Sequence, residues 1–291
     1  MNHKQDCILG IDTSNYKTSV AVIRKDKEIL CDLRTLLRVK QGERGLRQSD
    51  ALFQHLENLP DLIQSALGQG LRERIAAVAC SQRPRPVENS YMPEFKAGLG
   101  FGKAVSEAMG VPFYRFSHQE GHIEAVRVYS SFDQISDFLC YHLSGGTCEL
   151  LQVNGTQIKK IGGSKDLSFG QVLDRIGVKL GMAFPAGEEM DLRAQSAKVS
   201  SNCLQRIPAD GLFFNLSEIE TQCSRQIDKS EAEGRLTEDT DGLIQELFDR
   251  ILQILIKVTK EACRETSIKH ILFTGGVSSS RYISSRLEPE L

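Results

Sequence analysis

The same strand pattern occurs twice in this chain, and that repetition limits the possible folds more than any other feature of the sequence. In each half, three short apolar or alternating segments are joined by tight turns, as β-strands would be. These segments are residues 8–11, 18–23 and 28–33, and then 138–143, 148–153 and 157–161. An internal repeat of this kind predicts a duplicated α/β fold of two similar lobes with a cleft between them.

Helical patterns and further strands complete both halves. An amphipathic helix is predicted at 50–67, with an interruption near Pro60, and a helix rich in small residues at 95–109. Buried-looking strands are predicted at 75–80 and 270–273. The second half adds helices at 168–180, 190–197 and 241–264. A polar loop is expected at 40–45, and 200–240 is the least readable region, with 211–216 as a buried anchor.

Composition excludes several classes of protein. The chain has 291 residues, 40% hydrophobic and 25% charged, with a net charge of -2. This balance is ordinary for a globular protein and does not indicate a general affinity for nucleic acid or an anionic membrane. No apolar run approaches the ~20 residues of a membrane span, so no membrane partner is expected. The 8 cysteines are scattered without a C-x-x-C pair, which favours reduced thiols and a cytoplasmic location.

The first turn, at 10–14, is a candidate catalytic site. It reads Gly-Ile-Asp-Thr-Ser and follows a strand, so backbone amides and small hydroxyls can face a phosphate or its metal. Asp12 and Ser14 are the candidate catalytic residues. An ordinary β-turn is an equally consistent interpretation of the same residues.

Two histidines, His118 and His122, are the candidate metal ligands. They are four residues apart in the sequence H-Q-E-G-H after the strand-like segment 111–116, so they lie on one face of a predicted helix. Imidazole pairs of this spacing bind zinc or iron. An isolated H-x-x-x-H pair is nevertheless more often structural or solvated, and H-E-x-x-H, the order of zinc proteases, is absent.

Three further turns are candidates for ligand contact. Ser144-Gly145-Gly146-Thr147 joins two strands, and Gly275-Gly276 leads from a strand toward Ser280. Free amides at such turns and helix starts bind anions, although plain structural turns have the same composition. The loop 184–187, which reads Phe-Pro-Ala-Gly, is expected to lie against a ligand.

The order of these motifs resembles one family over nearly the whole chain. G-I-D-T-S, H-x-E-G-H, S-G-G, a D-R helix before F-P-A-G, and a late G-G-V-S-S-S occur in that order. The chain is similar to the glycoprotease family, whose older name is O-sialoglycoprotein endopeptidase. Its characterised members are tRNA threonylcarbamoyladenosine synthases that act at position 37.

The resemblance implies an actin-like, sugar-kinase-like and Hsp70-like ATPase fold, with two lobes at 1–116 and 117–291 around a nucleotide cleft. It also implies one Fe or Zn ion per chain at His118 and His122. ATP, AMP or threonylcarbamoyl-adenylate, with Mg for ATP, would be the nucleotide ligand. The implied partners are tRNA, reached through partner proteins, and a homo- or heterodimeric mate. The implied nucleotide-binding residues are Ser144, Gly145, Gly146, Thr147, Asp174, Gly187, Gly275, Gly276 and Ser280.

The chain departs from the family pattern at several positions. Tyr16 and Lys17 replace two acidic residues before Thr18, and residues 81–85 lack both glycines of the T-x-G-P-G loop. Gln171 replaces a glutamate, and Ser280 an asparagine. The family's third metal ligand is an aspartate after G-G-V, whereas the 15 residues after Gly276 (291 − 276) contain no aspartate.

Two hypotheses of function follow. In the first, the chain is a divergent metal- and nucleotide-binding threonylcarbamoyl transferase, or a relative that uses the same chemistry on another acceptor. Its histidines, Ser-Gly-Gly turn and Asp174 favour this interpretation. In the second, it is a catalytically inactive ATP-binding paralogue that acts as a scaffold or regulatory partner. The replacement of the acidic pair, the loss of both loop glycines and the absence of the late aspartate favour the second.

Overall fold

The chain forms two compact units. The computed structural model describes residues 5–14, 16–39, 46–68, 70–198 and 201–291. The first unit ends at Tyr129 and the second begins at Ser130. The polar loop expected at 40–45 lies outside the described residues.

The division lies later than the 116/117 boundary expected from the sequence. The histidine helix, α3 (His118–Val128), contacts the two strands that precede it, β4 (Ile75–Arg83) and β5 (Phe113–Ser117). Its buried apolar side chain, that of Ile123, is 1% exposed. The helix therefore belongs to the first unit, and both candidate metal ligands belong there with it.

The first unit is a five-stranded mixed sheet with helices. Its remaining elements are β1 (Cys7–Asp12), β2 (Lys17–Arg24), β3 (Ile29–Leu36), α1 (Gln48–Ala66) and α2 (Phe95–Met109). The strand order is β3-β2-β1-β4-β5. β1 pairs antiparallel with β2 and parallel with β4, and β4 pairs parallel with β5. The carboxyl ends of β1, β4 and β5 therefore meet at one edge of the sheet.

Helix α1 runs through Pro60 without the interruption expected there. Proline removes one backbone donor and normally breaks a helix interior. Here Pro60 and Leu56, whose carbonyl loses its donor, are both exposed, so water can satisfy that carbonyl. The opposite face stays in the core through Leu59 and Ile63, which are 0% and 7% exposed.

The second unit repeats the strand arrangement of the first. β6 (Asp137–Leu143), β7 (Cys148–Asn154) and β8 (Gln157–Ser164) form an antiparallel set, and β11 (Ile271–Thr274) adds parallel to β6 as β4 adds to β1. The short strands β9 (Ala209–Asp210) and β10 (Phe213–Phe214) extend the other edge, giving the order β11-β6-β7-β8-β10-β9. The duplication predicted from the sequence is present.

Five α-helices lie in the described residues of the second unit. They are α4 (Phe169–Lys179), α5 (Gly187–Ser196), α6 (Ser217–Ala232), α7 (Leu236–Thr266) and α8 (Arg281–Leu287). α7 supplies the largest share of the core, with fully buried residues such as Leu247, Ile251 and Leu255. None of the helices in the described part of the chain combines the length and apolar character needed to span a bilayer.

The region 200–240 contains a helix, α6, that the sequence pattern did not predict. α6 buries only Ile219, Cys223, Ile227 and Ser230. Charged and polar residues surround them, so the apolar stripe is narrow. The segment before α6 is held by Glu246 of α7, whose carboxylate accepts from the amides of Cys203 (2.6 Å) and Leu204 (2.9 Å).

Candidate functional site

The first candidate site lies where three parallel strands of the first unit end. Asp12 is the last residue of β1, Ser81 lies near the end of β4, and His118 follows β5. Ser81 donates a hydrogen bond to Oδ1 of Asp12, and Ser14 donates to Oδ2. Ligands of open α/β sheets bind at this edge, outside the carboxyl ends of the strands.

Helix α3 begins with a capping box that fixes both histidines. Ser117 Oγ accepts from the amide of Glu120 at 3.2 Å, and Glu120 Oε2 accepts from the amide of Ser117 at 2.5 Å. Two of the amides that lack an intrahelical partner at this helix start, those of Ser117 and Glu120, are thereby satisfied. The glutamate inside H-Q-E-G-H therefore has a structural role at the helix start.

The two histidines face each other through their Nε2 atoms. His118 Nε2 and His122 Nε2 are 2.8 Å apart, and the ring centroids are 4.3 Å apart. On the other side of the His118 ring, Nδ1 lies 3.1 Å from Asp12 Oδ1. This contact assigns the proton to Nδ1, which leaves the lone pair of Nε2 directed at His122.

The charge state of Asp12 follows from these contacts. Burial raises its pKa, but hydrogen bonds from His118, Ser14 and Ser81 and the charge of His118 outweigh burial and lower the pKa from 3.8 to about 2. The pKa of His122 is lowered, first by partial burial and then by the nearby His118. An ionised Asp12 that accepts from His118 Nδ1 leaves the Nε2 atoms of the two imidazoles as the candidate metal donors.

The donor set fits a metal held by two imidazoles with a carboxylate behind one of them. A carboxylate that accepts from the second nitrogen of a ligating histidine orients the ring and raises its basicity. Within the described residues, no group of three histidine, cysteine, aspartate or glutamate side chains is arranged to hold an ion. The remaining coordination positions would then be filled by water or substrate.

The second candidate site is a cavity of ≈ 590 Å³ in the second unit. Ligand pockets of ~300–1,000 Å³ are typical of small-molecule and cofactor sites. Apolar and polar side chains both line it, from α4, α5, α7, the 3-10 turn Gly276–Ser279 and the start of α8. The lining residues are Gly145, Gly170, Leu173, Asp174, Pro185, Gly187, Glu188, Asp191, Leu192, Phe248, Gly276, Val277, Ser279, Ser280 and Arg281.

Asp174 is fixed at the wall of this cavity by one of its two oxygens. Its Oδ1 accepts from the amide of Ala186 at 2.8 Å. In the described part of the chain, Oδ2 accepts no hydrogen bond. An immobilised carboxylate with one open oxygen can receive a hydroxyl group of a ligand.

The cavity gathers only some of the predicted nucleotide-binding residues. Gly145, Asp174, Gly187, Gly276 and Ser280 line it. The other four, Ser144, Gly146, Thr147 and Gly275, are not among its lining residues.

Those four residues build the neighbouring turns. The Ser144 amide donates to the Thr147 carbonyl at 2.8 Å, and Ser168, the cap of α4, holds the Gly145 carbonyl at 2.6 Å. Gly275 has φ +99, and a Cβ there would lie 2.2 Å from the Leu143 carbonyl oxygen. Only glycine can take that conformation so close to β6.

The sequence patterns missed two polar residues of these sites. Ser81 at the end of β4 could have been found from the rule that parallel strands end at one edge. Asp191 lies one helical turn after Gly187, and accepts from Ser280 Oγ and from the amides of Arg281 (3.2 Å) and Tyr282 (3.1 Å). It thereby joins α5 to the start of α8, a tertiary contact that no local pattern encodes.

The family sequence model for tRNA N6-adenosine threonylcarbamoyltransferase (TsaD) matches residues 38–290. The chain belongs to the TsaD family. A tRNA N6-adenosine threonylcarbamoyltransferase of Streptococcus thermophilus is 28% identical over 290 residues, 98% of this chain and 83% of that protein. Another, from Neorickettsia sennetsu, is 26% identical over 97% of this chain and 83% of that protein.

Solved structures with the same fold are more distant in sequence. T. kodakarensis HypF aligns with TM-score 0.60 at 12% identity, covering 99% of this chain and 44% of that one. Component A of the (R)-2-hydroxyglutaryl-CoA dehydratase of Acidaminococcus fermentans aligns with a TM-score of 0.53 at 15% identity, covering 98% of this chain and 88% of that one. A ROK hexokinase of Thermus thermophilus aligns with a TM-score of 0.51 at 14% identity, covering 98% of this chain and 89% of that one. The actin-like, sugar-kinase-like α/β fold predicted from the sequence is confirmed.

Two departures from the TsaD pattern have structural roles in this member. Ser81 replaces the threonine of T-x-G-P-G and donates to Asp12, as described above. In the same loop, the Pro84 carbonyl accepts from the amide of Gln119 at 3.0 Å, which ties the loop to the start of α3. Gln171 forms a capping box with Ser168, with distances of 3.0 and 3.1 Å, as a glutamate would.

Proposed function

We propose that this TsaD-family member transfers the threonylcarbamoyl group from threonylcarbamoyl-adenylate to an adenosine of tRNA. Its relatives of that name match nearly the whole chain. The observation that carries the proposal is the Asp12–His118–His122 arrangement, with distances of 3.1 and 2.8 Å. A merely structural histidine pair has no need of a half-buried carboxylate that fixes its tautomer.

In the proposed reaction, the N6 amine of the adenine attacks the carbamoyl carbon. A carbon–nitrogen bond forms, the bond from that carbon to the phosphate oxygen breaks, and AMP leaves with the electron pair. The amine gives up one proton, which passes to the phosphate of the departing AMP or to water. AMP, the leaving group, is the part of the substrate that an adenine-nucleotide site must hold.

The cavity of the second unit is the proposed nucleotide site. Asp174 would accept from a ribose hydroxyl through its open Oδ2, because Oδ1 is held by Ala186. The amide of Gly276 and the guanidinium of Arg281 are the groups of the lining that suit a phosphate, because the Ser280 amide already donates to the Val277 carbonyl at 3.2 Å. Gly145 and Gly187 present no side chain and allow close approach of a ligand.

His118 and His122 are the proposed ligands of one zinc or iron ion. When bound, such a metal would supply Lewis-acid chemistry toward a carbamoyl or phosphate oxygen. Asp12 keeps His118 in the ligating tautomer, and Ser14 and Ser81 keep Asp12 ionised. With a pKa of about 2, Asp12 orients His118 and is a poor acceptor of the amine proton.

The partners follow from the substrate. A net charge of -2 gives no general attraction to tRNA, so we propose that partner proteins help to bind it, with either a homodimer or a heterodimer as the working assembly. We further propose a cytoplasmic location, because the 8 cysteines are all unpaired thiols and tRNA modification is intracellular chemistry.

A transfer assay tests the proposal. Purified protein, threonylcarbamoyl-adenylate and tRNA are combined with and without candidate partner proteins, and modified adenosine is measured by mass spectrometry. We expect modification with the wild type and its loss in His118→Ala/His122→Ala, together with loss of bound metal by elemental analysis. Equal metal content in wild type and the double variant would remove the metal from the proposal.

A second candidate function is that of an inactive nucleotide-binding partner. The observation that favours it is the lack of a third protein ligand at the histidine pair in the described residues. This candidate predicts AMP binding without transfer under every combination of partners. The transfer assay and a binding titration therefore separate the two functions.

A further inference from the structure

The second unit leaves two large apolar side chains exposed beside its cavity. Phe184 is 75% exposed and Leu192 is 58% exposed. Among the described residues of this unit, the other exposed large hydrophobic side chains are Val178 (48%) and Leu291 (46%). The two most exposed therefore belong to one short segment, from the end of the α4–α5 loop into α5.

One of these two residues lines the cavity, and the other is next to a lining residue in the chain. Leu192 is itself a lining residue, and Phe184 directly precedes the lining residue Pro185. The backbone that follows is fixed, since the Ala186 amide is hydrogen-bonded to Asp174 at 2.8 Å. Phe184 therefore immediately precedes a backbone segment that is held at the cavity wall, and its ring is 75% exposed.

The cavity offers different chemistry on different walls. Leu173, Phe248 and Val277 supply an apolar floor, while Asp174, Ser280 and Arg281 supply hydrogen-bond donors and acceptors. A ligand that suits these walls has a polar, charged part and a flat apolar part. A purine nucleotide has both.

We propose that Phe184 stacks on the purine ring of the bound nucleotide, with Leu192 as the second apolar contact. The inference rests on the proposed nucleotide function and adds to it the residues that recognise the base. Covering an exposed phenyl ring removes apolar surface from water, and an aromatic face stacks on any base. Recognition of this kind favours nucleotides over ribose phosphates without selecting among the bases.

A fluorescence experiment tests the stacking directly, because the chain contains 0 tryptophans. Phe184→Trp places a single indole at the proposed position, and titration with AMP is expected to quench it in a saturable way. Phe53→Trp is the matched control, since Phe53 is 61% exposed on α1 and is not a lining residue. Its emission is expected to stay constant over the same titration.

Binding measurements separate stacking from a structural role. Phe184→Ala is expected to raise the Kd for AMP roughly tenfold, and Phe184→Leu by less, because base–aromatic stacking is lost. The Kd for ribose 5-phosphate, which has no ring, is expected to stay within about twofold of wild type. Thermal unfolding of each variant shows that the fold is retained.

Three results would overturn the inference. The first is AMP affinity unchanged in Phe184→Ala with a silent Phe184→Trp, while wild type still binds AMP; the nucleotide function would then stand without the stacking. The second is an equal loss of affinity for AMP and ribose 5-phosphate, which would make Phe184 a support of the loop. The third is no AMP binding by wild type, which would remove the nucleotide function itself.

Discussion

A single carboxylate, Asp12, determines what His118 can do. It accepts from Nδ1 at 3.1 Å and is itself held by the hydroxyls of Ser14 and Ser81. The side chain thus acts on the site through the histidine. The sequence identified Asp12 from its strand-end turn and His118 from its four-residue spacing to His122. Their contact spans 106 positions, so only the fold shows it.

We expect Asp12→Asn to weaken metal binding by about 10- to 100-fold, the usual effect of removing a carboxylate behind a histidine ligand. The amide carbonyl can still accept from Nδ1, but it lacks the charge that raises the basicity of the ring. Competition titration with a chromophoric chelator measures the affinity. Ser14→Ala is the control, with a change of about twofold or less, because Ser81 still donates to Asp12. Unchanged affinity in Asp12→Asn would show that the carboxylate does not orient a ligand.

Glu246 is a second single carboxylate on which the fold depends. Its side chain is almost fully buried. It accepts hydrogen bonds from the amides of Cys203 and Leu204 and forms a salt bridge with Arg250 at 2.7 Å. Glu246→Ala is expected to lower the free energy of unfolding by about 3–5 kcal/mol, because two amides and a guanidinium lose their partner. Glu246→Gln, which retains the oxygen for one amide, should lose less. Urea denaturation measures both, and equal stability of Glu246→Ala and wild type would contradict this role.

At the scale of elements, strands and long helices were predictable from periodicity, and α6 was not. Helix α2 occupies its predicted residues 95–109, because its small and apolar residues recur at helical spacing. For α6, the narrow apolar stripe is not sufficient, and its start depends on Asp166 far away in sequence. Asp166 accepts from the amides of Leu216 (2.8 Å) and Ser217 (3.1 Å).

The contacts of Asp166 give the start of α6 a dependence on pH. Burial raises the pKa of Asp166, but the amides of Leu216, Ser217 and Leu167 outweigh it and lower the pKa from 3.8 to about 2. The folded state therefore favours the ionised form. Its stabilisation is fully present above the unfolded pKa of 3.8 and is lost as the pH falls toward about 2.

We expect Asp166→Asn to destabilise the protein at pH 7 by about 1 kcal/mol, a value reduced because the side chain is exposed to solvent. The variant should also lose less stability than wild type between pH 4 and pH 2, the window set by the two pKa values of 3.8 and about 2. Denaturation monitored by circular dichroism across this range measures both. Asp61→Asn, an exposed carboxylate on α1, is the control. Parallel pH profiles for wild type and Asp166→Asn would contradict the linkage.

At the scale of the whole molecule, the repeated strand sets were readable from the sequence, and the division between units was not. Turns and apolar runs are formed by residues close together in the sequence, so a short stretch of sequence is enough to recognise each one. The assignment of α3 to the first unit depends on its packing against β4 and β5. The same distinction holds for the cavity. Its glycine turns could be recognised in the sequence, whereas the role of Asp191 depends on its contact with α8 in the folded protein.

Ligand binding should be detectable as stability of the whole protein. At free AMP 100 times above its Kd, the free energy of unfolding is expected to rise by about 2.7 kcal/mol. Thermal unfolding with and without AMP measures the effect. Asp174→Ala should remove most of it, because the fixed acceptor for the ribose is gone, while Asp228→Ala on α6 should not. An equal shift in Asp174→Ala and wild type would place the nucleotide elsewhere.

The contact between α4 and the loop before α5 also restricts how this lineage can change. A Cβ at Gly177 would lie 2.3 Å from the Ala186 Cβ. The two positions have room for one methyl group between them. Gly177→Ala should therefore be harmful in this chain and tolerated in the double variant Gly177→Ala/Ala186→Gly, a case of epistasis in which the order of two substitutions decides whether the intermediate survives.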